Sequence, residues 1–295
     1  MITKEFKEKV RDAILEHRKN FPDSPDASFA KMIGINPSSY NRLKKGEIEK
    51  IASENFWIEN GRKLGVTTYK KVLKLARTEV YNQVEEIINF CKNYQKATII
   101  IDECEIGKTR CSKHVIKNMI NAFRIDCSQA SSKTQFIRLM AKTLGLDNNG
   151  RLHELKENIK YYINQMDSPI IILDDAGYLE INVFVEIIGL WNATEGRCGW
   201  MMLGDDSLEN KINRGLKSKK VGFKALFSRF SGEFIRLMPM APHEKSEYLK
   251  QLIGDVANAN GIEPKKIARF IKLCIGKEKV LRHLDTLIQL DKENA

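Results

Sequence analysis

No run of 18 uninterrupted apolar residues occurs in the 295-residue chain, and its first twenty residues, MITKEFKEKVRDAILEHRKN, alternate charged with apolar positions. That patterning argues against a membrane span and against a secretory leader. The six cysteines (Cys91, Cys104, Cys111, Cys127, Cys198 and Cys274) form no CxxC pair and keep no ligand spacing with the five histidines. They are expected to be reduced, mostly buried thiols of a cytoplasmic protein, neither a zinc site nor a disulfide framework. Internal repeats and low-complexity tracts are missing as well, which sets aside solenoids and linker-like chains.

What is present is a globular composition, 42% hydrophobic and 29% charged, in a chain long enough for one large domain and a small one. Lys and Arg total 49 against 38 Asp and Glu, a formal charge of +11. That excess raises the prior for a polyanionic partner. The patterning divides the chain into four parts. Residues 1–66 read as all-helical, with Phe6, Val10, Ile14 and Leu15 in one stripe. Residues 67–96 read as one long amphipathic linker helix. From 97 to 240, short apolar runs (ATIIID, FRIDCS, PIIILDD, GWMMLGDD, GEFIRLMPM) alternate with helical patterns. That is the signature of an α/β fold, a parallel sheet covered by helices on both faces. Residues 241–295 return to helices, with GIEP at 261–264 as a turn.

The stretch Asp102-Glu-Cys-Glu-Ile-Gly107-Lys108-Thr109 follows the apolar ATIII and opens a helix. It fits the phosphate-loop pattern G-x-x-x-x-G-K-[ST], with aspartate in place of the first glycine. Gly107 lets backbone amides approach phosphate oxygens, the helix N-terminus adds partial positive charge, and Lys108 neutralises the outer phosphates. Thr109 offers a hydroxyl to magnesium, and Ile106 and Arg110 flank these residues. Asp102 is expected at the strand-to-loop corner, away from phosphate. The alternative is a chance Gly-Lys-Thr in a basic protein. A second motif weighs against it: PIIILDD at 169–175 places Asp174, the candidate magnesium-holding acid, at the end of an apolar strand. Asp175 then stands where a glutamate usually polarises the attacking water, one methylene shorter. Slow hydrolysis is expected, or use of Glu103 or Glu180 instead.

This order of elements resembles the AAA+ ATPases, P-loop NTPases, and in particular their DNA-transposition group, which contains the phage Mu B, TnsC and IstB proteins. The similarity covers most of the chain. It implies ATP and Mg2+ as cofactors and places Asp205, after GWMMLG, at the sensor-1 position beside the terminal phosphate. LFSRFSGEFIRL resembles a Ser-Arg motif, which makes Arg229 an arginine finger reaching a neighbouring subunit; the competing reading is an internal ion pair. KEKVLRHLDTLIQL is similar to a lid helix in which Arg282 is the sensor-2 arginine.

Residues 26–45, DASFAKMIGINPSSYNRLKK, fit the helix-turn-helix template. Gly34 supplies the turn, Ala30 is small at the helix crossing, and Phe29, Ile33, Ile35, Tyr40 and Leu43 fall at buried positions. Asn36 or Ser38 is a candidate cap for the second helix. Ser38, Ser39, Asn41, Arg42, Lys44 and Lys45 then face outward, where they can reach bases and phosphates of double-stranded DNA. A plain helical bundle with a basic exterior is the competing reading. The Mu B resemblance, and one to the lambda-repressor family, agree with the first. A second basic run, KINRGLKSKKVGFK, carries Lys211, Arg214, Lys217, Lys219 and Lys220 and reads as a loop that could follow a DNA backbone inside a ring or filament.

Taken together, these features imply a cytoplasmic, ATP-dependent and largely sequence-nonspecific DNA-binding ATPase. It would oligomerise on target DNA and activate or recruit a transposase. The competing functions are a helix-turn-helix transcriptional regulator with a nucleotide-sensing switch, and a scaffold that no longer binds nucleotide.

Overall fold

The computed structural model describes residues 2–66, 73–275 and 280–293. Four helices come first: α1 (Lys4–Arg18), α2 (Asp26–Ile33), α3 (Pro37–Lys44) and α4 (Glu54–Leu64). Helix α1 begins where the Thr3 hydroxyl accepts the Phe6 amide at 3.2 Å, and it buries Phe6, Val10 and Ile14 along one face. That face meets α4 at Gly61, where a Cβ would stand 2.8 Å from the Phe6 ring. Between α2 and α3 the chain turns through Gly34 in the left-handed region (φ 84°), and the Ile35 amide donates back to the Ala30 carbonyl at 2.9 Å. Asn36 stands at the N-cap of α3 but its side chain makes no capping bond; Pro37 sets the first turn instead. Phe29, Ile33, Ile35, Tyr40 and Leu43 are all buried, as the helix-turn-helix spacing requires.

The linker helix expected over 67–96 is shorter than its pattern. Residues 67–72 lie outside the described residues, 73–78 are not helical, and α5 spans Glu79–Tyr94. The Thr78 hydroxyl starts α5 by accepting the Tyr81 amide at 3.2 Å. Upstream, the Asn260 side chain pairs with both backbone groups of Lys74, accepting its N–H at 2.7 Å and donating to its carbonyl at 3.1 Å. Leu73 and Ala76 are buried among the C-terminal helices. Tertiary contacts thus hold this segment out of the helix that its periodicity predicts.

The α/β alternation follows as the sequence indicates: β1 (Ala97–Ile101), α6 (Lys108–Val115), β2 (Ala122–Asp126), α7 (Lys133–Thr143), α8 (Leu152–Gln165), β3 (Ile170–Asp174), α9 (Ile181–Ala193), β4 (Gly199–Gly204), α10 (Asp206–Lys217), α11 (Phe223–Arg229) and β5 (Phe234–Ile235). The five strands are parallel in the order β2-β3-β4-β1-β5. Every residue of β1, β3 and β4 is buried, because helices cover both faces. Alternate residues divide between two apolar layers. Ile99, Phe123, Ile171 and Trp200 join one, with α7 to α11, and Ile100, Ile170, Ile172 and Met201 join the other, with α5. The carboxyl ends of β1, β4 and β3 lie side by side, so the loops after them converge.

The first apolar layer continues into the N-terminal helices without a break. Phe21 meets Phe123 of β2 with ring centroids 5.3 Å apart, and the Asn121 amide donates to the Asn20 carbonyl at 2.8 Å. The C-terminal helices α12 (Pro242–Ala259), α13 (Pro264–Cys274) and α14 (Val280–Glu293) bury a separate cluster that includes Ile253, Phe270, Leu284 and Ile288. All six cysteines are free thiols, and all but Cys104 are buried. No helix among the described residues is long and apolar enough to cross a membrane.

Candidate nucleotide site

The loop between β1 and α6 turns on Gly107, whose φ of 105° no side chain adopts comfortably. Helix α6 starts at Lys108, so the amides at its N-terminus open toward the end of the sheet. Ile106 is 3% exposed and anchors the loop in the apolar layer. The Lys108 ammonium lies back over the loop, donating to the carbonyls of Asp102 at 2.7 Å and Glu103 at 2.6 Å. Burial holds its pKa below the ordinary lysine value, only partly offset by Asp102, Cys104 and Asp205 nearby. This is an ammonium held by weak dipolar partners, suited to a stronger anion.

The two sequence motifs meet. The Thr109 hydroxyl donates to Asp174 Oδ1 at 3.0 Å, across the gap between the first turn of α6 and the end of β3. Asp174 is 1% exposed. Asp175, the next residue, has a left-handed backbone (φ 55°, ψ 40°), a conformation that aspartate tolerates better than most side chains. Burial, reinforced by Asp174 and Asp126, pushes the Asp175 pKa up. Asp205 caps α10, accepting from the Ser207 amide at 2.9 Å, and its other oxygen accepts from the Cys104 thiol at 3.2 Å. Burial tends to raise the Asp205 pKa, but the bonds from Ser207 and Cys104 prevail and lower it. Asp205, the residue expected at sensor 1, is therefore tied directly to the loop after β1.

Each of the three acids in the first half of the loop has a partner near the C-terminus, a feature that sequence reasoning missed. Asp102 is 3% exposed, and its Oδ2 accepts the amides of Leu237 at 2.7 Å and Met238 at 2.8 Å. Its Oδ1 accepts the Glu103 amide at 2.7 Å. Glu103 pairs with Lys245 of α12, and Glu105 Oε1 with Arg282 Nε of α14 at 3.0 Å. All three carboxylates are turned to partners in the chain from Leu237 onward. A single aspartate for glycine gives no sequence signal of this; three acids within four positions of a phosphate loop do, since anions there need partners.

Arg124 was also missed. From β2 its Nε donates to Asp174 Oδ2 at 2.6 Å, and its terminal nitrogen bonds the same oxygen. The available signal was the alternation of AFRID: Arg124 shares its face with Ala122, on the side of the sheet that carries Ile170 and Ile172. A cation there must find an anion.

Other expected site residues lie elsewhere. The side chain of Arg110 is exposed and donates to the Leu73 carbonyl. Arg229 lies over the Trp191 ring, 5.3 Å from its centroid, with Nε on Asn192 Oδ1 at 2.6 Å. A terminal nitrogen also donates to the Ala225 carbonyl at 3.2 Å, so its internal partners are two oxygens of neutral groups and an indole, where the sequence reading had allowed a carboxylate. The basic run at 211–224 is not a loop, because it forms the end of α10, a turn and the start of α11. Within it the Lys211 ammonium is turned inward onto the carbonyls of Gly177 and Leu179, each at 2.6 Å, while Arg214, Lys217, Lys219 and Lys220 are exposed. On α3, Ser38, Asn41, Arg42, Lys44 and Lys45 are exposed and Ser39 half-buried. Arg42 pairs with Glu47 at 2.7 Å and Lys44 with Asp26.

Comparison with known proteins agrees with this geometry. Residues 91–212 match the family described as AAA domain. No curated protein matches the chain. Among solved structures, Cdc6p from Pyrobaculum aerophilum is similar with a TM-score of 0.54 at 15% identity, over 77% of this chain and 65% of that one. The ORC1 protein of Aeropyrum pernix, solved in complex with DNA, gives 0.55 at 11% identity, over 79% of this chain and 65% of its own. This chain thus spans 65% of the length of each. Over residues 91–212 the chain is thus similar to the AAA domain family, and its parallel sheet with flanking helices has the P-loop AAA+ fold of these solved structures.

Proposed function

We propose that the protein is an ATP-dependent, largely sequence-nonspecific DNA-binding AAA+ ATPase that oligomerises on duplex DNA and activates or recruits a transposase. The observation that carries the ATPase part is the convergence of Lys108, Thr109 and Asp174 at the carboxyl edge of the sheet. Gly107, the α6 amides and Lys108 hold the phosphates, and Asp175 orients the attacking water as its carboxylate. Thr109 and Asp174 present hard oxygen donors 3.0 Å apart, a donor set that fits Mg2+. When bound there, the metal would neutralise charge on the phosphate oxygens. Arg229, half-buried beside α9, would leave its internal partners to serve a neighbouring protomer's site, which would tie turnover to assembly.

DNA binding is supported by the exposed, basic α3 and the α10–α11 turn, and by the DNA complex in which the ORC1 protein was solved. The transposase partner rests on the resemblance to the Mu B group. The decisive measurement is DNA association with and without ATP. Binding that strengthens with ATP and loses this gain in Lys108→Ala is expected; binding indifferent to both would reject the mechanism.

A second reading is a transcriptional regulator, favoured by the left-handed Gly34 turn that sets α2 against an exposed α3. Selection from random DNA separates the two. A regulator enriches a defined, repeated site, whereas the first reading yields no motif and a steep salt dependence.

A further inference from the structure

Asp174 has no acceptor capacity to spare. An ionised carboxylate offers about four lone-pair sites. Oδ1 receives the Thr109 hydroxyl at 3.0 Å and the Asp175 amide at 3.1 Å, and Oδ2 receives Arg124 through two nitrogens. The same terminal nitrogen lies 3.8 Å from Asp126 Oδ2. The Arg124 side chain is 12% exposed and that of Asp174 1%, so the pair is screened from solvent.

We infer that Arg124 is a positioning residue that occupies the metal's place on Asp174 and sets how strongly the nucleotide site takes up a divalent cation. This role rests on the nucleotide reading above, and its cause is electrostatic. Without Arg124 the buried Asp174 would lose its direct ionic partner and keep only the longer-range fields of Lys108 and Lys113, which is costly. Arg124 supplies that charge while the site is empty and fixes the carboxylate through a two-nitrogen fork. A divalent cation must approach the same carboxylate, against a fixed positive charge in a poorly screened pocket. Either the arginine yields or the metal binds weakly. The phosphates of a nucleotide add anionic charge and tip the balance, so nucleotide and metal enter together and the metal alone does not.

The test uses the full-length protein with ADP as nucleotide and Mn2+ as metal, the cation being followed by the loss of its free paramagnetic signal. Wild-type protein is expected to take up no Mn2+ alone and to take it up weakly with ADP. Arg124→Met, which keeps the stem and removes the charge, is expected to bind Mn2+ about tenfold more tightly in the ADP complex. Arg124→Lys keeps the charge without the fork and is expected to lie between them, and it stands in for the methionine variant should that one fail to fold. Unchanged or weaker Mn2+ uptake in the folded variants, with ADP still bound, would overturn this role for Arg124. ADP binding by none of the proteins would instead reject the nucleotide reading.

Discussion

The nucleotide site and the outward face of α3 are both rich in charge, and they treat it oppositely. Around the phosphate loop, Lys108, Asp102, Glu105, Asp174 and Arg124 each have a definite partner within the fold. On α3, Lys45 and Asn41 point to solvent, and the pairs Arg42–Glu47 and Lys44–Asp26 lie at the surface, where such bonds contribute little. A charge removed from water must be matched by geometry, whereas an exposed one need not be. The first region is therefore brittle to substitution and the second graded.

The sharpest way to break that contrast is at Asp175. Asparagine there suits the left-handed backbone and removes only the carboxylate. Turnover is expected to fall roughly 10²–10⁴-fold with nucleotide affinity preserved, read by phosphate release and nucleotide titration. Because the Asp175 pKa is raised, wild-type turnover should fall on acidification at a pH above the ordinary aspartate range. Next comes Lys108→Ala, expected to weaken nucleotide binding on the order of 10–100-fold by calorimetry. The Lys108 pKa is lowered in the free protein and phosphates raise it, so between the two values binding takes up a proton. Affinity should then fall as pH rises through that window, and Lys108→Arg, whose charge persists, should abolish the fall.

Asp102→Gly restores the usual phosphate-loop residue and is expected to make the protein worse. It leaves the Leu237 and Met238 amides without their acceptor, at roughly 1–3 kcal/mol for each group left unpaired. A thermal melt should record a drop of about 2–4 °C per kcal/mol. An unchanged melting temperature with tighter nucleotide binding would show that the aspartate is merely tolerated. The smallest effect is expected on α3: Arg42→Ala should weaken DNA binding a few-fold and reduce the salt slope by about one. If it matched Lys108→Ala in severity, the contrast between the regions would fail.

Much of the site was legible because phosphate loops and acid-tipped strands are local. Gly107, Lys108, Thr109 and Asp174 needed only a strand before and a helix after. Arg124 was hidden because its partner lies on the neighbouring strand β3, 50 residues away in sequence, and only the strand pairing brings the two together. The inward turn of Lys211 was hidden because a lysine in a basic run looks the same whether it meets solvent or the carbonyls of Gly177 and Leu179. The stretch before α5 misled for the opposite reason: its periodicity is real, but the bonds of Asn260 to Lys74 and the burial of Leu73 hold it out of a helix.

By itself, then, the chain's order of residues determined the alternation of strands and helices, the two helices joined at Gly34 within 26–45 and the two halves of the candidate nucleotide site. Each depends on side chains within a few positions of one another, through hydrophobic period and turn chemistry. Tertiary structure alone decided which charge meets which: Asp102 with the amides of Leu237 and Met238, Glu105 with Arg282, and Asp174 with Arg124. Those pairings arise because folding removes the three carboxylates from water, and each then takes the nearest partner that the packed elements supply, even one as exposed as Arg282.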